Sequence, residues 1–181
     1  MTDTPDPAQP ASQCLFFALW PDDATREALD RTGKWLHSRW GGRRMRADTL
    51  HLTLAFLGNT PLEARDRLWP HVAALRAGAF DLLLDQTGYW PHNRIGWLGC
   101  REISAPLAGL AERLRHGLRE ARVPFDAKPF VPHVTLLRQA ESGPVSSCSP
   151  VHWPVRDFVL VASTRDVSGT HYRILRRWPL S

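Results

Sequence analysis

Two tetrapeptides stand out in the chain, His51-Leu52-Thr53-Leu54 and His133-Val134-Thr135-Leu136, each of the form H-x-T-L with an apolar residue at x. Random placement of its 8 histidines, 11 threonines and 24 leucines would produce that pattern about 0.06 times. Both lie in strand-like segments, and in a strand residues i and i+2 share a face. Histidine and threonine of each motif therefore project together, while Leu52 with Leu54, and Val134 with Leu136, fill the opposite face. If the two strands belong to halves that face one another, two imidazoles and two hydroxyls converge on one cleft. Such a set suits a tetrahedral phosphate. The hydroxyls donate to non-bridging oxygens, one imidazole takes a proton from water, and the other gives one to the leaving oxygen. Imidazole suits both tasks because its ordinary pKa lies near neutrality. A strained five-membered cyclic phosphate fits this chemistry, since two proton transfers and charge stabilisation can open it without a metal.

Simpler readings compete. A lone histidine on a strand is more often a hydrogen-bonded structural residue, but two in matched frames argue for shared chemistry. A metal centre is a poorer reading: two histidines supply too few ligands, and no Asp, Glu or Cys cluster stands beside them at ligand spacing. The sequence implies no cofactor. His37, His71, His116, His152 and His171 have no motif context and read as surface or packing residues. Phe16, Phe17, Trp90 and Phe130 could stack a nucleobase, although most aromatics in such a chain are core. Trp35 and Trp40 read as packing residues.

The elements that must hold the motifs follow from periodicity and punctuation. Cys14–Trp20 is an apolar run read as a buried strand, followed by a helix from Pro21-Asp22-Asp23 to about Arg39 that Gly41-Gly42 ends. A strand over Thr49–Leu57 carries the first motif. A helix over Leu62–Ala77 follows, with Pro70 placed to kink or split it. Phe80–Gln86 and Ile95–Cys100 read as strands around a connection at Gly88–Asn93. Ser104–Arg122 is the clearest helix, with Leu107, Leu110, Leu114 and Leu118 on one face. Val131–Leu137 is the strand of the second motif, Glu141–Pro154 reads as a Ser/Pro-rich loop, and Phe158–Ser163 with Tyr172–Trp178 closes the chain as a strand pair. The order β-α-β-α-β-β-α-β-loop-β-β roughly repeats helix-then-motif, which suggests two related α/β halves. The expected domain is residues 14–181, preceded by a disordered tail over Met1–Gln13.

Composition narrows the class. The 181 residues carry a net charge of +5, almost all of the positive charge on arginine, because lysine occurs only at Lys34 and Lys128. That balance fits an anionic partner such as nucleic acid, though a coding bias toward arginine gives the same composition. Cys14, Cys100 and Cys148 are scattered and odd in number, which argues for reduced thiols in a cytoplasmic protein. No apolar run reaches the ~20 residues of a membrane helix, and the N-terminus does not read as a secretory signal.

The two motif blocks, LHLTLAFLG and KPFVPHVTLLR, resemble those of the 2H phosphoesterase superfamily. The surrounding chain is similar to its bacterial and archaeal RNA 2′,3′-cyclic phosphodiesterase branch, the LigT-like proteins. The resemblance runs from Cys14 to Leu180 and includes LFFALWPDD, RIGWLGC and the closing STRDVSGTHYRILRRWPL. It implies an α/β (α+β) bilobal fold, with two pseudo-symmetric lobes of antiparallel sheet and helices around a central cleft. It also implies metal-free hydrolysis of an RNA 2′,3′-cyclic phosphate end to a 2′-phosphate. His51 would be the proton donor to the leaving 3′ oxygen and His133 the base that activates water. Thr53 and Thr135 would hold phosphate oxygens, and Arg138 would contact the phosphate. The expected partner is RNA or an oligonucleotide with a cyclic phosphate end, and a monomer is the default. The same site could act on small cyclic nucleotides or an ADP-ribose cyclic phosphate, or join RNA ends. A protein that binds RNA ends without turnover is the reading of another class.

Overall fold

Leu15–Leu19 is apolar at every position because β1 (Ser12–Leu19) is buried on both faces. The computed structural model, which describes residues 11–181, places β1 between two antiparallel partners. The elements run β1, α1 (Asp23–Trp40), β2 (Arg43–Arg44), a 3-10 turn (Ala47–Thr49), β3 (Leu52–Pro61), α2 (Leu62–Ala73), β4 (Phe80–Trp90), β5 (Ile95–Gly99), α3 (Ala105–Glu120), β6 (His133–Arg138), β7 (Ser146–Val155), β8 (Asp157–Asp166) and β9 (Gly169–Pro179).

The strands form one sheet in the order β7-β4-β5-β6-β3-β1-β8-β9, with β2 added to β6. Four strands belong to each half, and the halves meet edge to edge where β3 pairs with β6 at Leu52 and Val134. The three helices supply Leu29, Leu36, Leu68, Leu107, Leu110, Leu114 and Leu118 to a single large core on one face of the sheet. On the other face, Phe16, Ala18, Val159 and Val161 of β1 and β8 form a small second cluster, with Trp20 and Tyr172 packed on it. That second face, free of helices, is where the motif side chains emerge.

Several boundaries differ from the sequence reading, each for an identifiable reason. Ser12 and Gln13 are strand, not tail, because they pair with Pro61 and Thr60, and the Ala11 carbonyl accepts from the Leu62 amide; the remainder of the expected tail, Met1–Pro10, lies outside the described residues. β3 starts at Leu52 rather than Thr49, the residues before it being a 3-10 turn, and it continues past Gly58 because β1 remains beside it. Pro70 sits inside α2, which ends three residues later at Ala73 instead of reaching Ala77. β4 runs through Gly88 to Trp90, so the connection to β5 is shorter than expected. β6 starts at His133, not Val131.

The expected loop over Glu141–Pro154 is largely the strand β7. Its prolines are tolerated because β7 is an edge strand, pairing only with β4. Val151, Trp153 and Val155 alternate inward as a strand requires.

Two glycines are fixed by close approach. Gly42 has φ 77°, and a Cβ there would come within 2.7 Å of the Arg138 carbonyl oxygen, so glycine lets β2 reach β6. Gly88 lies under the indole of Trp97, which in turn packs on Trp90 with ring centroids 5.5 Å apart. A methyl at Gly88 would overlap the Trp97 ring. Gly88→Ala is expected to cost about 1–3 kcal/mol of stability through overpacking, read as a lower urea midpoint with unchanged slope.

Candidate active site

The seam between the halves assembles the two motifs. Leu52 and Val134 are the paired residues, both fully buried toward the core. One step either side in this antiparallel register sets His51 across from Thr135 and Thr53 across from His133. Directly opposed residues share a face, so all four side chains come to the face away from Leu52 and Val134. The arrangement has an approximate twofold relation about the seam, and each histidine stands beside the other motif's threonine.

All four line one cavity of about 300 Å³, together with Arg138 at the end of β6. Thus the structure brings together every residue that the sequence singled out for phosphate chemistry. Arg138 is exposed and pairs in the β2–β6 ladder with Arg43. The ladder is extended by the Met45 amide, which donates to the Leu136 carbonyl at 2.9 Å.

The two histidines are held in the same way. The Nδ1 of His51 lies 2.7 Å from the Thr49 carbonyl, and the Nδ1 of His133 lies 2.8 Å from the Val131 carbonyl. A carbonyl only accepts, so each Nδ1 carries the proton and donates. Nε2 is then the ring nitrogen left for a ligand in both. The residue two before each histidine performs this orientation, which is a third element of the internal symmetry.

Aromatic rings fix the imidazole planes. Trp20 stacks on His51 with centroids 5.5 Å apart and an interplanar angle of 6°, while Phe16 and Tyr172 lie 4.8 and 5.2 Å away. Trp90 meets His133 edge-on at 4.5 Å. Burial among these rings pushes the His51 pKa down to about 4, against the opposing effect of its bond to Thr49; the positive charges of His133 and Arg138 push the same way as burial. Burial also lowers the pKa of His133, while its bond to Val131 opposes the shift. Both rings are therefore neutral at pH 7 without a ligand. An anion between them opposes these effects and favours protonation of an imidazole.

Residues 21–166 match the model of the 2′-5′ RNA ligase superfamily. The chain belongs to that superfamily. Among its relatives, the RNA 2′,3′-cyclic phosphodiesterase of Escherichia coli strain K12 is 35% identical over 174 residues, spanning 93% of this chain and 97% of that protein. The protein of the same name from Thermus thermophilus is 34% identical over 182 residues, covering 92% and 89%. The crystal structure of Escherichia coli LigT complexed with 3′-AMP superposes with a TM-score of 0.83 at 34% identity, over 94% of this chain and 99% of that one.

This member of the 2′-5′ RNA ligase superfamily also lines its cavity with residues that the sequence reading passed over: Tyr172, Met45, Asn93 and Phe56. Burial raises the Tyr172 pKa, so its phenol stays protonated and can donate to an anion. No local pattern marks Tyr172, because only the β8–β9 pairing and the contact with Phe16 bring it to the seam. Of the four aromatics considered for base stacking, Phe16 and Trp90 line the cavity that holds the two motifs. Phe130 lines an adjoining one of about 360 Å³ with Phe56, Trp90, Thr53 and His133. Phe17 does not contribute, being fully buried in the main core. Among the described residues, no group of three His, Cys, Asp or Glu side chains is placed to hold a metal ion.

Proposed function

We propose that this protein hydrolyses RNA 2′,3′-cyclic phosphate ends to 2′-phosphates, with His51 and His133 as the acid and base. The observation that carries the reading is the seam. Two histidines, each with Nδ1 committed to a backbone carbonyl, leave two Nε2 atoms to serve one cavity that also holds two threonines and an arginine. The curated relatives that span most of this chain carry the matching name.

The reaction needs water to attack phosphorus in line with the departing 3′ oxygen. Acid and base must therefore stand on opposite sides of the phosphate, as residues from the two sides of a strand seam do. His133 Nε2 takes a proton from water as the new P–O bond forms. The P–O3′ bond breaks and O3′ takes the proton on His51 Nε2, giving a 3′-hydroxyl and a 2′-phosphate. Thr53, Thr135, Tyr172 and Arg138 donate hydrogen bonds to the non-bridging oxygens, where charge accumulates. The phosphate's negative charge offsets the Arg138 charge and raises the His51 pKa toward the working range.

No helix among the described residues is long and apolar enough to cross a membrane. An RNA-end substrate implies work in the cytoplasm. The test is a short RNA with a 2′,3′-cyclic phosphate end, incubated with the protein in EDTA. The expected product is a 2′-phosphate with no 3′ isomer. An intact end after prolonged incubation would reject the substrate, and loss of turnover only when EDTA is added would reject the two-histidine account.

A further inference from the structure

Next to the catalytic cavity lies a second one of about 310 Å³, which shares Met45, Thr49, Arg138 and Tyr172 with it. Its remaining wall brings in Arg43, Arg46 and Arg165, so four arginines from three separate segments meet there. Their charge is only partly compensated. Asp48 pairs with Arg46 through two contacts of 3.1 Å, but among the described residues no carboxylate pairs with Arg43, Arg138 or Arg165. Asp166, next in sequence to Arg165, instead accepts from the Ser168 amide and hydroxyl and pairs with His171.

Arg43 and Arg138 also stand directly opposite each other in the β2–β6 pair. Like charges at directly opposed positions destabilise a sheet unless something neutralises them. Gly42 is held to a conformation that allows this pairing, so the juxtaposition is built by the backbone. Guanidinium groups converging on a cavity without enough carboxylates to match them form an anion site, and phosphate suits their planar forks.

We propose that this cavity binds a second phosphate of the substrate, the one on the 5′ side of the ribose that carries the cyclic phosphate. The inference rests on the hydrolase reading for the identity of the first phosphate. Arg138 lies on the wall common to both cavities and serves both phosphates. In an RNA chain, the 5′ phosphate is the other phosphate attached to the terminal ribose. The substrate class is thus an RNA end or a 5′-phosphorylated cyclic nucleotide, in preference to a nucleoside 2′,3′-cyclic phosphate with a free 5′-hydroxyl.

Calorimetric titration at low salt with adenosine 2′,5′-bisphosphate and adenosine 2′-monophosphate tests this without requiring turnover. Wild type is expected to bind the bisphosphate at least about tenfold more tightly. Arg165→Gln and Arg43→Gln are each expected to bring the two affinities within about threefold of one another. Equal affinities in wild type, or a tenfold preference that survives both substitutions, would overturn the proposal. The same wild-type protein is then given adenosine 2′,3′-cyclic phosphate with and without a 5′-phosphate. Preferential binding with turnover of neither would reject the hydrolase and leave the second phosphate site standing. Turnover of both with equal affinities would reject the second site and leave the hydrolase.

Discussion

Alanine at His51 or at His133 is expected to lower kcat by about 10²–10⁴-fold on a cyclic phosphate end, the range for losing one positioned acid or base. On the proposed mechanism each histidine supplies one of two proton transfers that occur as the phosphate passes through its transition state. Removing either leaves water to do the task. The His51→Ala/His133→Ala double variant is expected to be little worse than either single one, because residues that act as a unit do not contribute additively. Neither side chain belongs to the main core, so the fold should survive. Single-turnover rates with saturating protein, alongside unfolding curves, check both statements. A loss of less than tenfold in either single variant would mean that the residue is not transferring a proton.

Acid is expected to weaken the fold through the same histidines. The His51 pKa falls to about 4 in the folded protein from an unfolded value near 6.5. Between those values the unfolded chain binds a proton that the folded chain refuses, so falling pH favours unfolding. The stability associated with neutral His51 is complete above about pH 6.5 and is lost as pH falls toward 4, a change on the order of 3 kcal/mol. The lowered pKa of His133 acts with the same sign, below pH 6.5. The lowered carboxylates Asp22, Glu112, Asp126 and Asp166 act from around and below pH 4, so the histidine window stands largely apart. His51→Gln keeps a side chain that can donate to the Thr49 carbonyl but does not titrate. Urea unfolding of wild type from pH 7 to 4 should show a falling midpoint, and His51→Gln should flatten most of that fall. An unchanged slope in the variant would place the acid sensitivity elsewhere.

The convergence of the motif side chains was legible in the sequence because it is written in local pattern. His and Thr two apart share a strand face, and Leu52 with Val134 fill the other, which is all the seam needs. The orienting carbonyls of Thr49 and Val131 were not legible, since any residue has a carbonyl and only the bend before each strand directs it. Trp20 and Tyr172 escaped for a different reason. They are placed by the pairing of β1 with β8 and β8 with β9, which brings together segments more than a hundred residues apart. In β7, Pro150 and Pro154 signalled a loop, yet the alternation of Val151, Trp153 and Val155 was the stronger physical statement for an edge strand. The helices α1 and α3 were read to within two residues because their apolar stripes, such as Leu107 to Leu118, cover a sheet, whereas α2 stops short of the expected Ala77.

The central claim is that His51 protonates the leaving 3′ oxygen while His133 activates water. A cyclic phosphate with sulfur in place of the bridging 3′ oxygen tests it most directly. A thiolate leaves without a proton, so the acid becomes dispensable while the base does not. The account predicts that His51→Ala, crippled on the oxygen substrate, turns over the sulfur substrate at a rate within about tenfold of wild type. His133→Ala should remain crippled on both. Rescue of His133→Ala instead would exchange the two roles, and equal impairment of both variants on the sulfur substrate would contradict the acid–base pair.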